Sequence, residues 1–428
     1  MSPGGGRYTR GMTDSHDDIL ILGGGVAGLA CALYLLREGR GVRILEQGRV
    51  GSGASHGNCG TITPSHAPPL AGPGVIARAL KWMTRPDAPL YIRPRVDPAL
   101  ADWLLRFALR CNRDDWWASA RARAALLDAS RGLIGTLVEE EGLDCRFEAN
   151  PLWYVARDRR QFEHEVREAA LLRTLGIESR VLDAAEVARC EPALRPGVAG
   201  AIEFAGDASL RPDRYVAELA RVVRANGGLI EEDCRVLGID HERGRVASVR
   251  TALGARRGGE VVLAAGAWSP TLSRGLGLNV PVQPGKGYSI TYSRPALAPS
   301  RPLVLKGPQV CVTTWSDGFR LGSTMEFSGY DASLNRTRLD ALVRAAREHL
   351  HEPVGPELRE EWYGWRPMTY DDLPLLGRAP RWDNLWLATG HGMLGMSMSA
   401  ATGRLLADLV TRRAPILDPS PYDPARFA

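Results

Sequence analysis

The sequence predicts an α/β chain in which a parallel, doubly wound part is interleaved with a mixed, mainly antiparallel α+β part. Three observations predict it. Residues 19–22, Ile-Leu-Ile-Leu, are a short unbroken apolar run that leads into a glycine-rich turn and then into apolar residues at helical spacing. Residues 211–278 return to that pattern, with the helical stretch YVAELARVVRANGG and strands around 235 and 261. Residues 279–355 instead carry alternating stretches, GYSITYS and CVTTW among them, as strands of an antiparallel sheet do.

In chain order, residues 1–16 are Gly-rich and polar, lack the apolar core of a secretory signal, and are expected to form a flexible extension. Residues 17–35 are almost uncharged over nearly the length of a bilayer crossing. Four glycines in six residues make a poor spanning helix, however, and Arg37-Glu38 end the apolar run short of the ~20 residues a crossing needs. Strand, turn, helix and strand fit instead. The glycines stand as Gly23-x-Gly25-x-x-Gly28, with Val26 and Ala27 inside the motif. The first allows the tight turn, the second lets backbone approach a pyrophosphate, and the third lets helix and strand pack closely. The helix start then presents free N–H groups to the phosphates. Glu46 lies 18 residues past Gly28 at the end of the second strand, where a carboxylate accepts ribose hydroxyls, and Gln47 follows it. Together these predict a Rossmann-type dinucleotide-binding domain.

Segments 17–66, 211–278 and 356–428 are assigned to that domain, the last adding a strand at 385–388 and a helix from about 393. Segments 67–210 and 279–355 are assigned to a substrate-binding domain. The first of them is entered through a proline-rich stretch and carries a long helical pattern at 116–142. The tail, residues 414–428, is Pro-rich and expected to lie extended on the surface.

Composition narrows the function. The 428 residues are 44% hydrophobic and 24% charged with net charge +5, an ordinary globular balance. There is no Lys/Arg run, which argues against a nucleic-acid partner. The seven cysteines, 31, 59, 111, 145, 190, 234 and 311, are scattered without CxxC or zinc spacing, so no metal site is expected. An odd, dispersed set fits a reducing compartment, and a cytoplasmic protein is expected, with the inner face of the cytoplasmic membrane as a second location. The stretch WLLRFALRCNRDDWW (103–117) mixes large apolar residues with arginine. It is read as core or subunit contact, with peripheral contact to a membrane as the alternative.

A second stretch, GSGASHGNCGT at 51–61, follows the second strand, and its small residues would let a loop lie flat against a planar ring. Here the sequence resembles the D-amino-acid dehydrogenase group of the flavin-dependent amine oxidoreductases, together with glycine oxidase and sarcosine oxidase. The family segment G-x-S-x-x-N-x-G reads Gly53-Ala54-Ser55-His56-Gly57-Asn58-Cys59-Gly60. RVLGI (235–239), EVVLAAGAWS (260–269), GWRPMTYDDLPLLG (364–377) and LWLATGHGMLGMSMSAATGRLLADLV (385–410) resemble further family stretches, so the likeness runs from about 17 to 410. It implies non-covalently bound FAD. Ser55, Asn58, Cys59, Gly60 and Thr61 would lie near the ring and Val236 near the adenine. Ala265 and Gly266 would end a strand near the cofactor, and Gly390, His391, Gly392, Met393, Leu394 and Gly395 would turn free N–H groups toward the flavin. It also implies a D-amino-acid substrate and a quinone or other electron acceptor. The loop HGNCGTITPSHAPPLA resembles relatives that oxidise D-proline or D-hydroxyproline. The alternatives are an oxidase of glycine or sarcosine type and a flavin subunit of a larger electron-transfer complex; an oligomer is compatible with each.

Arg366, in GWRP, matches the family arginine that holds the substrate carboxylate, a task suited to a planar, permanently charged fork. Its alternative is an ion pair with Asp371 or Asp372. Tyr288 and Tyr292 share a strand face and are either substrate contacts or core. His391 is either a catalytic group or a packed loop residue. Lys286 draws notice because the chain has only three lysines. Arg320 stands on what resembles the strand where the sarcosine-oxidase branch carries an oxygen-activating lysine. His56 and Cys59 are the candidates for covalent flavin attachment, the alternative to non-covalent FAD, and His66 lies on the same loop. His349 and His351 are expected to be solvated.

Overall fold

The computed structural model describes residues 19–83 and 88–428. The expected flexible extension at 1–16 lies outside the described residues.

The apolar run Ile19–Leu22 is a fully buried strand at the middle of a six-stranded sheet. Parallel neighbours are Val42–Leu45 on one side and Glu260–Leu263 on the other, with Ile19 opposite both Val42 and Glu260. Leu229–Glu231 and Leu385–Thr389 extend the sheet in parallel, and Leu375–Arg378 closes it antiparallel. Strands buried on both faces read as continuous apolar runs, which is why the sequence announced them. The helices Val26–Arg37, Pro212–Ala225 and Gly395–Val410 cover one face, and Gly395–Val410 also packs on the long helix Arg113–Glu141.

The second sheet has nine strands. Its path runs Leu358–Met368, Gln283–Tyr292, Gly318–Phe327, Val310–Trp315, Leu303–Leu305, Leu152–Ala156, Gly200–Phe204 and Arg180–Asp183, with Leu90–Ile92 added beside Gly318–Phe327. All pairings are antiparallel except those of Leu303–Leu305 with Leu152–Ala156 and of Leu90–Ile92. The helix Arg336–His349 packs on this sheet. The strand Leu358–Met368, which the sequence division grouped with the last dinucleotide-binding segment, pairs with Gln283–Tyr292 along its whole length, with one register shift between Thr291 and Tyr292. The chain leaves the second sheet only after Met368.

Two expectations are corrected. The tail is packed rather than extended: Tyr422 and Phe427 are buried, the Tyr422 hydroxyl donates to Ala122 O, and Arg426 pairs with Asp371 at 2.9 Å. His349 is buried rather than solvated, and its Nδ1 donates to Ala345 O at 2.7 Å. Both are short local patterns whose polarity is outweighed by a neighbouring apolar surface. The 103–117 stretch divides by face. Trp103 is buried and donates to Pro281 O, whereas Leu105 and Leu109 are 61% and 68% exposed. No described helix is long and apolar enough to cross a membrane.

Candidate active site

A cavity of about 1470 Å³ runs from the glycine turn to the second sheet. That exceeds the ~300–1,000 Å³ of ordinary small-molecule sites and suits a long ligand with a second small molecule.

At one end the glycines divide their tasks. Gly23 has φ of 116°, and a Cβ there would lie 2.5 Å from Ala264 O. A Cβ on Gly28 would lie 2.0 Å from Gly23 O, so strand and helix meet there without a side chain between them. Gly25 has only Ser55 Oγ nearby at 3.6 Å, and its bare side faces the cavity. It caps the helix Val26–Arg37 without a side-chain bond, leaving the first-turn N–H groups beyond Val26 for a ligand. Val26 N donates to Ser55 Oγ at 3.1 Å, which ties the helix start to the 51–61 loop. Glu46 accepts from Gly24 N at 2.7 Å and Gly48 N at 3.0 Å. Its carboxylate is thereby fixed, with lone pairs left over for hydroxyls. Gln47, Val236, Ala265 and Gly266 line the same end.

The 51–61 loop forms one wall. Ser55, Asn58, Cys59 and Thr61 line the cavity. Asn58 Oδ1 accepts from Gly60 N at 2.8 Å and closes a tight turn, with Gly60 itself at φ of 74°. Arg320 holds this loop from beneath. It is 2% exposed and donates to Asn58 O, His56 O and Thr291 Oγ1 at 2.7, 3.1 and 2.9 Å. His56 pairs with Glu360 at 2.8 Å.

The opposite wall comes from the turn after Leu385–Thr389. Gly390 and Gly392 have φ of 82° and 55°, and Gly392 N donates to Pro367 O. His391, Gly392, Met393, Leu394 and Gly395 line the cavity, and the helix from Gly395 starts without a side-chain cap. The His391 ring bonds Thr402 Oγ1 at 2.9 Å, and burial lowers its pKa to about 4. It is a neutral, packed residue.

Arg366 projects into the cavity from Leu358–Met368. A Cβ on Gly287, on the neighbouring strand two residues beyond Arg366's partner Gly285, would lie 2.2 Å from the guanidinium carbon, so the guanidinium rests on a bare patch of backbone. Its Nη1 donates to Thr324 O at 2.6 Å. Thr324 and Ser323 both have positive φ, 59° and 143°, at the bulge where Gly318–Phe327 slips register against Gln283–Tyr292. Such backbone is costly for non-glycine residues and is found at sites that need an atom re-aimed. Neither aspartate offered as an alternative partner takes Arg366. Asp371 pairs with Arg426, and Asp372 with the buried Arg123 at 3.4 Å. Among the described residues, Arg366 has no carboxylate partner.

The tyrosines separate. Tyr288 lines the cavity but is 1% exposed, and its hydroxyl donates to Glu326 at 3.0 Å. Tyr292 is absent from the lining and packs against the apolar cluster under Arg336–His349, the core role left open. Lys286 is buried over the Tyr288 and Tyr363 rings and donates to Ser333 O.

Sequence reasoning missed a buried polar cluster. Asp207 accepts from Ser65 N and Ser65 Oγ, and desolvation raises its pKa to about 7. His66 contacts Ser65 Oγ and the Tyr154 hydroxyl at 3.3 and 3.2 Å, and its surroundings lower its pKa to about 3. Arg123 donates to His66 O, Ala67 O and Asp372 O. Ser65 and His66 lie in the loop the sequence already singled out, but Asp207 and Arg123 sit in no recognisable motif; Arg123 is one arginine in the run Arg-Ala-Arg-Ala. With His66 and His391 neutral, the positive charge of the cavity lining at neutral pH comes from its arginines and from Lys81 and Lys306. Thr63 Oγ1, Thr324 Oγ1 and Trp365 Nε1 are buried polar atoms of lining residues without partners in the protein, as expected around a polar ligand.

The parallel sheet with its bare glycine turn, opened toward a second sheet bearing a guanidinium without a carboxylate partner among the described residues, has the architecture of an oxidoreductase that holds a dinucleotide between its sheets. The particular family follows from residues 18–409, which match the FAD dependent oxidoreductase family, DAO; the chain belongs to it. It is similar to a D-amino acid dehydrogenase of Methylobacterium nodulans, 33% identical over 96% of this chain and 99% of that one. A D-amino acid dehydrogenase of Paramagnetospirillum magneticum is 36% identical over 92% and 95%. Glycine oxidase from Geobacillus kaustophilus superposes with a TM-score of 0.78 at 25% identity, over 97% of this chain and all of that one. FAD is therefore the dinucleotide, and the protein is an FAD-dependent enzyme of amino-acid oxidation.

Proposed function

We propose that the protein oxidises D-amino acids, D-proline or cis-4-hydroxy-D-proline foremost, and passes the electrons to a quinone or another acceptor than oxygen. The observation that carries this reading is Arg366: a guanidinium facing the cavity, seated on Gly287, with no carboxylate partner among the described residues. A substrate carboxylate supplies the partner. Two parallel charge-assisted hydrogen bonds would fix the amino acid and present its Cα–H in one direction.

Gly23, Gly25, Val26, Ala27 and Gly28 with Glu46 and Gln47 would hold the adenosine and pyrophosphate. The 55–61 loop and residues 390–395 would hold the ring from two sides. FAD, when bound, supplies a hydride acceptor. The N–H groups at the start of Gly395–Val410 would stabilise negative charge on the reduced ring. The substrate amine leaves the site as an imine, which water hydrolyses to a keto acid and ammonia; from a proline the cyclic imine persists.

The proline-type substrate is supported by the resemblance of the 56–71 loop, whose Thr61, Thr63, His66, Pro68 and Pro69 line the cavity. The acceptor is supported by Arg320. Its nitrogens are committed to Asn58 O, His56 O and Thr291 Oγ1, which leaves no lysine ammonium there to activate oxygen.

Anaerobic titration of the flavin-loaded protein with D-proline, cis-4-hydroxy-D-proline, D-alanine and sarcosine tests the reading. Bleaching of the visible flavin absorbance by the two D-prolines first is expected. No bleaching by any D-amino acid would sink it. Peroxide formed in air at the rate of substrate loss would instead establish an oxidase.

A further inference from the structure

Two thiols meet in the wall of the cavity. Cys311 lies on Val310–Trp315, directly across from Gly322 on Gly318–Phe327. Residues paired across strands set their side chains next to one another on one face. Gly322 has no side chain, and Cys59 fills the space: a Cβ on Gly322 would lie 2.5 Å from Cys59 Sγ. The 51–61 loop thus places its thiol where a cross-strand neighbour of Cys311 would be. Both thiols are free, and both line the cavity.

The pair is electrostatically asymmetric. The neighbouring Cys311 thiol and the charges of Arg320 and Arg366 favour the Cys59 thiolate against the opposing effect of burial. Cys311 is held protonated by its neighbour and by burial. An activated thiolate beside a second thiol is the arrangement of an attacking and a resolving cysteine. Neither thiol is used in the hydride-transfer reading.

We propose that Cys59 and Cys311 are a redox-active dithiol, which a peroxide closes into a disulfide inside the cavity. The Cys59 thiolate attacks one peroxide oxygen and the O–O bond breaks. Hydroxide leaves, takes up a proton as water, and Cys59 becomes a sulfenic acid. Cys311 sulfur then attacks Cys59 sulfur, its proton goes to the departing hydroxyl, and a second water leaves. The two sulfurs together lose two electrons, and peroxide is reduced to two waters. The product covalently joins the 51–61 loop to the second sheet. Cys31, Cys145 and Cys234 are buried away from the cavity lining and give no such pair.

The test uses the intact flavin-loaded protein, fully reduced, treated with stoichiometric hydrogen peroxide and then alkylated. Two thiols of the seven should be protected, a peptide joining 59 to 311 should be found by mass spectrometry, and dithiothreitol should restore both thiols. In Cys311→Ser the reaction should stop at a Cys59 sulfenic acid trapped by dimedone; Cys59→Ser should leave Cys311 alkylated. Recovery of 59 and 311 as alkylated thiols while other cysteines oxidise would overturn the proposal. So would Cys59 running on to the sulfinic acid in wild type with no linked peptide. The peptide map of the wild type decides the matter even if a variant fails to fold.

Discussion

At the scale of single residues, the site depends on where a guanidinium rests. Arg366 is held through Nη1, which donates to a carbonyl that a strained bulge turns toward it and to Met325 Sδ at 3.9 Å, and no carboxylate among the described residues takes its other donors. Arg366→Lys keeps the charge but loses the fork, so KM for a D-amino acid should rise ~10–100-fold, about 1.5–3 kcal/mol for a charged bidentate pair reduced to a point contact. Flavin content should be unchanged. Steady-state kinetics with an artificial dye acceptor check this, and an unaltered KM would remove Arg366 from substrate binding. Gly287→Ala probes the same point without touching the arginine. Its methyl would enter the 2.2 Å space beside the guanidinium carbon and displace it, giving the same KM rise with Arg366 still present. A wild-type KM in that variant would mean the guanidinium does not rest there when substrate binds.

At the scale of elements, the dinucleotide end stands on the contact of two helices. Val26–Arg37 and Gly395–Val410 each begin at a bare turn on the cavity and pack along one another. Gly403 lets them approach: a Cβ there would lie 2.5 Å from the Ala30 carbonyl carbon. Gly403→Ala should therefore push the helices apart and cost ~1–3 kcal/mol, the usual price of overpacking, despite alanine's better helix propensity. A lowered Tm with faster flavin release is expected, and a raised Tm would show that the helices yield at no cost. These elements were legible because their signals are local: an unbroken apolar strand, glycines at fixed offsets, an acid at the next strand's end. The strand Leu358–Met368 was misplaced because its burial grades from exposed Leu358 and Arg359 to buried Pro367 and Met368 instead of alternating, and its polar residues Arg359, Glu360 and Glu361 break the apolar pattern of a strand. Its partner lies some seventy residues away in the chain, and cross-strand register over that distance leaves no trace in a single sequence.

At the scale of the whole molecule, the same limit decides which parts of the site could be foreseen. Arg366 stood in a motif, whereas Arg123, Asp207 and Cys311 acquire a role only when three distant segments converge. Asp207 shows the cost of that convergence. It precedes the short strand Ala208–Ser209, which pairs with Thr61–Ile62, and it accepts two bonds from Ser65, so it joins the cavity loop to the segment leading out of the second sheet. Enclosure there raises its pKa from an ordinary 3.8 to about 7. The folded protein therefore keeps this proton across a window in which the unfolded chain has released it. Stability falls as pH rises from about 4 to about 7, and the full cost is present above that. Asp207→Asn preserves both bonds, its carbonyl accepting from Ser65 N and its amide donating to Ser65 Oγ, while removing the charge. Its Tm relative to wild type should thus be higher by a few degrees at pH 8 than at pH 5. Thermal melts of the two proteins at both values decide it: a constant difference would mean that Asp207 ionises in the fold without penalty, and that the joint between the sheets is wetter than its burial implies.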